Sequence, residues 1–294
     1  MKKHKICKIL LVILAIFLCV AFYELLGICV AYKKQPEVSN TTKKETKNGS
    51  WNECSENTER AVIIEKNPEA LLQRVRLIKN AKKEIILSTF AFQSDESGKL
   101  ILGALHDAAD RGVHIRLLVD GMESWIDMEG NPYFYGLSSH ENVEIKLYNK
   151  ANPLKPWKMM GRMHDKYLIA DGKRYILGGR NTYNYFLGDF PGHKNYDRDV
   201  LVVCDEPEKE NSVNQLSEYF ETIWNQEDSG YFHDNKKLAN RKSVKNAVLE
   251  LQNGYQKYFE ENKERICDTD YTDETFETEK IALVSNPIHT GSKE

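Results

Sequence analysis

The sequence predicts an α/β sandwich behind a single N-terminal transmembrane helix. Three observations support that prediction. An apolar run fills residues 9 to 23 and, after Glu24, resumes as far as Tyr32. Beyond residue 59, short strand-like runs alternate with helical ones, a pattern that buries a sheet beneath helices. At 41% hydrophobic residues in 294, the chain can also fill a sizeable core.

Residues 1–32 read as a membrane anchor or signal-anchor. ILLVILAIFLCVAFY is uncharged, and with Glu24 as the one interruption the segment is long enough to cross a bilayer. Lys2, Lys3, Lys5 and Lys8 precede it, which favours an inside N-terminus and an extracytoplasmic remainder. Lys33 and Lys34 on the far flank act against that orientation. The rival reading is a cleaved signal peptide. Ala31 with Cys29 two positions earlier makes only a fair cleavage site, and the apolar run exceeds a typical signal core. The expected location is the cell membrane, single-pass. Residues 33–58, rich in Lys, Thr, Asn and Ser, read as a polar stalk.

The elements follow in order. NPEALLQRVRLIKNAKK predicts a helix with Asn67 as N-cap and Pro68 at the first helical position. EIILSTFAF reads as a strand, and GKLILGALHDAADRG as an amphipathic helix closed by Gly112. VHIRLLVD, VEIKLYN and DVLVV are further strands. PEKENSVNQLSEYFETIWNQ predicts a helix from Pro207, and a longer one spans about Ser243 to Arg265. Asp268 to Glu279 is acidic and reads as a solvated linker. KIALVSNPIHTGSKE reads as a strand leading into a loop. The expected organisation is a main domain over 59–230, a helical and acidic linker over 231–280, and the start of a further unit over 281–294.

The most informative stretch is RMHDKYLIADGKRYILGGRN. His164 and Lys166, two apart on a strand, share a face and sit about 7 Å apart along the backbone. A neutral imidazole beside a fixed ammonium can attack a phosphorus centre and hold its oxygens. Asp171-Gly172 signals a hairpin. With Asp171 and Gly172 as the turn pair, Gly179 faces His164. With Gly172 and Lys173 there, Gly179 faces Lys166 and Asn181 faces His164. Either register brings bare backbone at Gly178 and Gly179, and an amide, to the His/Lys pair, where an anionic group can approach the main chain.

His-x-Lys, four residues, Asp171, six residues, Gly178-Gly179-x-Asn181: this resembles the HKD motif of the phospholipase D superfamily. The GGRN form is similar to the cardiolipin-synthase-like, phosphatidyltransferase branch. RLLVDGMES (Arg116 to Ser124) and NYDRDVLVV (Asn195 to Val203) resemble segments flanking the motif in that branch. The resemblance covers roughly residues 60 to 230. It implies an α/β fold, a mixed β-sheet flanked by helices, and residues 59–230 as the HKD domain. It implies catalysis by His164, Lys166 and Asn181, with Asp171 mainly structural and Asp197 orienting the histidine. A slip of two residues would put Asp199 in that last role. Enzymes of this branch usually have two HKD halves. Only one His-x-Lys-x4-Asp occurs here, so residues 281–294 read as the start of an absent second half, and a homodimer or a separate half is an expected partner.

Composition narrows the substrate. The net charge of −3 gives no global attraction for nucleic acid, which argues against a nucleic-acid partner. Six cysteines show no zinc spacing; no metal cluster is apparent, and the resembled chemistry needs no metal or other cofactor. The loop KANPLKPWKMMGRM mixes Lys150, Lys155, Lys158 and Arg162 with Trp157, Met159 and Met160, a composition suited to lipid headgroups. The expected function is a membrane-anchored phospholipase D-like enzyme, transferring or hydrolysing phosphatidyl groups through a phosphohistidine, with phospholipid as substrate. The alternatives are a phospholipase D-type endonuclease, and a non-catalytic half-protein that binds lipid or a partner.

Overall fold

Alternate side chains of one sheet enter two separate cores. Along β2 (Glu84–Thr89), Ile85 and Leu87 join one apolar cluster while Ile86 joins the other. β3 (His114–Asp120) does the same with Leu117 and Leu118. This two-residue alternation buries both faces and fixes the strands' register. The computed structural model describes residues 2–33, 59–158, 161–204, 211–233 and 235–285, with isolated positions between 40 and 47. The expected stalk lies almost wholly outside the described residues.

The remaining strands are β1 (Glu59–Ile64), β4 (Val143–Tyr148), β5 (Tyr167–Ala170), β6 (Arg174–Gly178), β7 (Asp199–Cys204), β8 (Ser229–Tyr231) and β9 (Phe276–Glu277). Among the described residues they form one nine-stranded sheet in the order β8-β4-β3-β2-β5-β6-β7-β1-β9. β2, β3 and β4 are parallel neighbours, whereas β5, β6, β7 and β1 run antiparallel to one another. The sheet is mixed, as expected.

Helices cover both faces. α1 is the apolar Lys2–Lys33. α2 (Asn67–Asn80), α3 (Glu96–Asp110), α5 (Pro132–Ser138) and α7 (Lys242–Glu261) pack on one face through residues such as Leu71, Leu105, Phe134 and Leu251. α6 (Ser212–Trp224) covers the other with Val213, Leu216, Phe220 and Trp224. α4 (Gly121–Asp127) and α8 (Lys263–Cys267) are short. α1 contains a stretch, His4–Val30, long and apolar enough to cross a membrane.

Several local expectations are corrected. Asn67 is the first helical residue rather than the cap, because its side chain is committed elsewhere: Nδ2 donates to the Asn195 carbonyl and Oδ1 accepts from Arg180. α6 begins at Ser212, where the Asn211 side chain caps it by accepting from the Asn214 N–H; the expected start at Pro207 lies outside the described residues. The long helix breaks at Asn262 into α7 and α8.

The residues read as a linker are integral to the domain. α7 buries Val244, Ala247, Leu251, Tyr255 and Phe259. The acidic stretch is a clamp on buried Arg76, which donates to the Asp268 and Asp270 carbonyls and pairs with Glu274 at 2.8 Å. Buried guanidinium donors need such partners. Residues 281–285 form no strand. Ile281 and Leu283 pack against the α6 core instead, and the Leu283 N–H donates to Gln215. Residues 286–294 lie outside the described residues.

Candidate active site

The parallel pairing of β2, β3 and β4 places their C-terminal ends side by side, with Thr89 beside Val119 and Asp120 beside Tyr148. β5 starts at the same edge, because Tyr167 pairs with Ser88. The residues that follow β2 and β3 and precede β5 therefore converge there: Phe90, Asp120 and the 162–166 segment.

Asp120 organises this edge. Its buried carboxylate caps α4 by accepting from the N–H groups of Met122 and Glu123. It also accepts from the Met163 N–H at 3.1 Å and from Arg162, whose Nη2 lies 2.7 Å from Oδ1. Arg162 reaches Glu123 as well, at 2.9 Å. One carboxylate thus ties the start of a helix to the chain immediately before His164.

His164 and Lys166 meet on an aromatic ring. The His164 ring centroid lies 4.5 Å from that of Phe90, and Lys166 Nζ lies 5.2 Å from the same centroid. Nζ also donates to the His164 carbonyl at 2.6 Å. His164 is exposed, whereas Lys166 is only 5% exposed. Burial pushes the His164 imidazolium pKa below its ordinary 6.5, and the Lys166 charge adds to the effect. Burial lowers the Lys166 ammonium to about 8, against the opposing pull of Asp165, Asp197 and Asp120. At neutral pH the imidazole is free to attack while the lysine beside it remains mostly charged. Asp165, between them in sequence, accepts from the Tyr219 hydroxyl at 2.8 Å, and burial raises its carboxyl pKa.

The hairpin adopts neither expected register. Asp171 and Gly172 both have positive φ, 55° and 61°, and Lys173 completes a three-residue loop, so Ala170 pairs with Arg174. The Gly178 N–H accordingly donates to the Lys166 carbonyl. The Asp171 carboxylate accepts from the N–H groups of Lys82, Lys83 and Glu84 at 2.7–3.0 Å, stapling the loop to the start of β2. Seven residues of extended chain, roughly 20 Å, separate it from His164. The structure does not bring Asp171 to the His/Lys pair.

The two glycines admit anionic groups, but those groups belong to the chain itself. A Cβ on Gly179 would collide with the Asp197 carboxylate, and one on Gly178 with Asp199 and the Arg198 carbonyl. The two aspartates then diverge. Asp199 is fully buried between Arg74 at 2.9 Å and Arg180 at 3.2 Å. Arg180 also donates to Asn67 and to the carbonyls of Ile64 and Glu65. Asp197 is half-buried, accepts from the Arg198 N–H and acts on the Lys166 charge. Among the described residues no hydrogen bond joins Asp197 to His164. Asn181 is buried, and its Oδ1 accepts from the Ala91 N–H at 3.2 Å, which leaves its amide NH2 as a donor.

The chain matches a family model described as "Cardiolipin synthase, PLD-like domain" over residues 74–224, an interval that holds Phe90, Asp120, His164, Lys166, Asn181 and Asp197. The chain belongs to that phospholipase D-like family. Among curated relatives, an uncharacterized protein of Helicobacter pylori (strain J99) is 30% identical over 212 residues, 67% of this chain and 39% of that protein. Cardiolipin synthase C of Escherichia coli K12 is 30% identical over 154 residues, 48% of this chain and 31% of that enzyme. The chain spans less than half the length of these relatives. Among solved structures, phosphatidylserine synthase of Haemophilus influenzae Rd KW20 is 17% identical with a TM-score of 0.49, over 75% of this chain and 48% of that one.

Sequence reasoning missed several residues that shape this phospholipase D-like site. Phe90 follows an ordinary strand and carries no motif. Asp120 stood in a noted segment, but its partner Arg162 lies 42 residues on. Arg74 and Arg180 were unremarkable surface types until Asp199 was found between them.

Proposed function

We propose that this chain is a membrane-anchored phospholipase D-type enzyme that transfers or hydrolyses phosphatidyl groups. The single observation that supports it best is the packing of His164 and Lys166 on one Phe90 ring, in the family's motif, with the imidazole neutral and the ammonium charged near pH 7. In this reading an unprotonated imidazole nitrogen of His164 attacks the phosphodiester phosphorus. A P–N bond forms as the bond to the leaving alcohol oxygen breaks, and an acid supplies that oxygen's proton. Lys166 and the Asn181 amide donate to the non-bridging oxygens as charge builds. Asp197, whose charge acts on Lys166, orients the imidazole once substrate is bound. Water or a second alcohol then attacks phosphorus, giving its proton to the group that had acted as acid, and the P–N bond breaks to return the histidine.

The leaving oxygen's acid is best supplied by a second copy of the site. Among the described residues no second histidine contacts His164 or Lys166, and a twofold axis would place a second His164 opposite the first. The α1 span supports the anchored form of the reading.

The deciding experiment compares wild type and His164→Ala on phospholipid vesicles and on DNA. Phosphatidyl transfer or hydrolysis lost in the variant is the expected result. DNA cleavage without lipid turnover, or binding of lipid without turnover by wild type, would replace this reading with a nuclease or a binding protein.

A further inference from the structure

The contact between α1 and the loop before the site fixes how deep the catalytic edge sits. The Tyr23 hydroxyl donates to the Leu154 carbonyl at 2.9 Å. Gly27 is buried against Pro156, so closely that a Cβ there would strike the proline ring. The helix face turned toward the loop runs through Ala21, Glu24 and Gly27, the less exposed positions at helical spacing. Glu24, the one acid in the apolar run, thus turns to protein, while Leu25, Leu26 and Phe22 remain exposed on the other side.

We infer that the rim formed by Trp125 and Ile126 of α4 and Leu154 inserts into the lipid surface beside α1, holding His164 at the level of the phosphodiesters. The depth follows from helix geometry. His4–Val30 spans 27 residues, about 40 Å, against a hydrocarbon core of about 30 Å. Centred, its end stands about 5 Å outside the hydrocarbon. Tyr23 lies seven residues before Val30, about 10 Å lower, so Leu154 falls just inside the boundary. Tyrosine is at home there.

α4 and Leu154 follow the C-terminal ends of the neighbouring strands β3 and β4, and both expose apolar side chains. Trp125 is 65%, Ile126 66% and Leu154 76% exposed. α4 is held to the chain entering His164 by Asp120 and by Arg162–Glu123. Lys155 is exposed beside Leu154, as suits a headgroup layer. The other three cations expected to bind lipid are engaged within the protein: Lys158 pairs with Asp228 at 2.7 Å, Lys150 donates to the Tyr231 carbonyl, and Arg162 pairs with Asp120 and Glu123. Apolar insertion, rather than a basic loop, is what this edge offers a bilayer.

The inference rests on the phospholipid reading, and its test has a readout independent of turnover. Full-length protein is reconstituted in phosphatidylcholine/phosphatidylglycerol vesicles whose acyl chains bear bromine near the headgroup or near the methyl end. The headgroup-proximal bromines should quench wild-type tryptophan emission more than that of Trp125→Phe. Equal quenching in the two proteins overturns the inference. In parallel, the Trp125→Ala/Ile126→Ala variant should lose roughly tenfold in turnover on vesicles and none on a dispersed short-chain phosphodiester. Equal losses on both substrates, or no loss on either, also overturn it. Should wild type turn over neither substrate, the catalytic reading fails and the quenching alone decides the insertion.

Discussion

The carboxylate of Asp197 fills the space that any side chain on Gly179 would need. Gly178 stands in the same relation to Asp199, but the two pairs answer to different demands. Gly179→Ala should push Asp197 away from the lysine, lowering kcat/KM by about ten- to a hundredfold with a small change in stability. Gly178→Ala presses on a backbone carbonyl and on the Arg74–Asp199–Arg180 group, and should cost about 1–3 kcal/mol of stability. Steady-state kinetics and denaturant titration of both variants separate the effects. Equal stability losses would contradict this division.

Lys166 sets activity against stability. Its folded pKa of about 8 lies below the unfolded value of 10.5. The native state therefore disfavours the protonated lysine; that penalty is complete below pH 8 and vanishes as pH rises toward 10.5. Lys166→Met should raise stability at pH 7 by on the order of 1–2 kcal/mol, a figure discounted for solvent screening, while removing turnover. His164→Ala should remove turnover too, by several orders of magnitude, since a covalent nucleophile has no substitute. A Lys166→Met protein with unchanged or lower denaturation midpoint would show that the ammonium finds compensation not seen here.

The pH profile follows from the same two groups. Attack needs neutral His164, so the acid limb should fall below pH 6.5. The second His164 must be protonated to act as acid, so activity should already decline above the histidine pKa, below pH 6.5. Oxygen stabilisation needs charged Lys166, so the decline in kcat/KM on a soluble phosphodiester should steepen near pH 8. In Lys166→Arg, whatever activity survives should lack that steepening. A steepening near pH 8 unchanged in that variant would assign it to another group.

Asp171 should behave as a staple. Asp171→Ala strips acceptors from three backbone N–H groups and places alanine at φ 55°. The expected cost is about 2–4 kcal/mol in stability. In the folded fraction, kcat should remain within a few-fold of wild type, because the residue stands a strand's length from His164. Loss of kcat by a thousandfold in a fully folded Asp171→Ala protein would return the residue to the chemistry.

Much of the fold was legible because it is local. Strand alternation in 84–89 and 114–120, and the positive-φ glycine after α3, follow from neighbouring residues alone. The His164–Lys166 pair was legible for the same reason, two positions on one strand. What escaped was non-local. The hairpin register depended on a third loop residue, fixed by contacts between Asp171 and the residues before β2. The acidic stretch after α8 looked solvated because nothing in it reveals that Arg76, some 190 residues earlier, needs its carbonyls. Asp197 and Asp199 were interchangeable by alignment, and only the two arginines from distant elements tell them apart.

A dilution series tests the paired site. If two copies supply one acid and one nucleophile, specific activity of detergent-extracted protein should fall as concentration drops through the dimer dissociation constant. Mixing His164→Ala with an inactive Lys166→Ala protein should then recover no more than a fraction of wild-type activity. Undiminished specific activity in a strictly monomeric species would exclude the requirement.

The sheet ends on one side in the three residues of β8 and on the other in the two residues of β9. Outer strands this short offer an approaching chain little to copy, leaving only the three-residue remainders of β1 and β4 beyond them. Fibre-like growth by strand addition is discouraged at both ends. By the same token, the described edges give two copies of this protein little with which to fuse their sheets into one. Association would have to be built from side chains on loops and helix faces, and so would be far more open to tuning by single surface substitutions than a shared ladder of backbone hydrogen bonds.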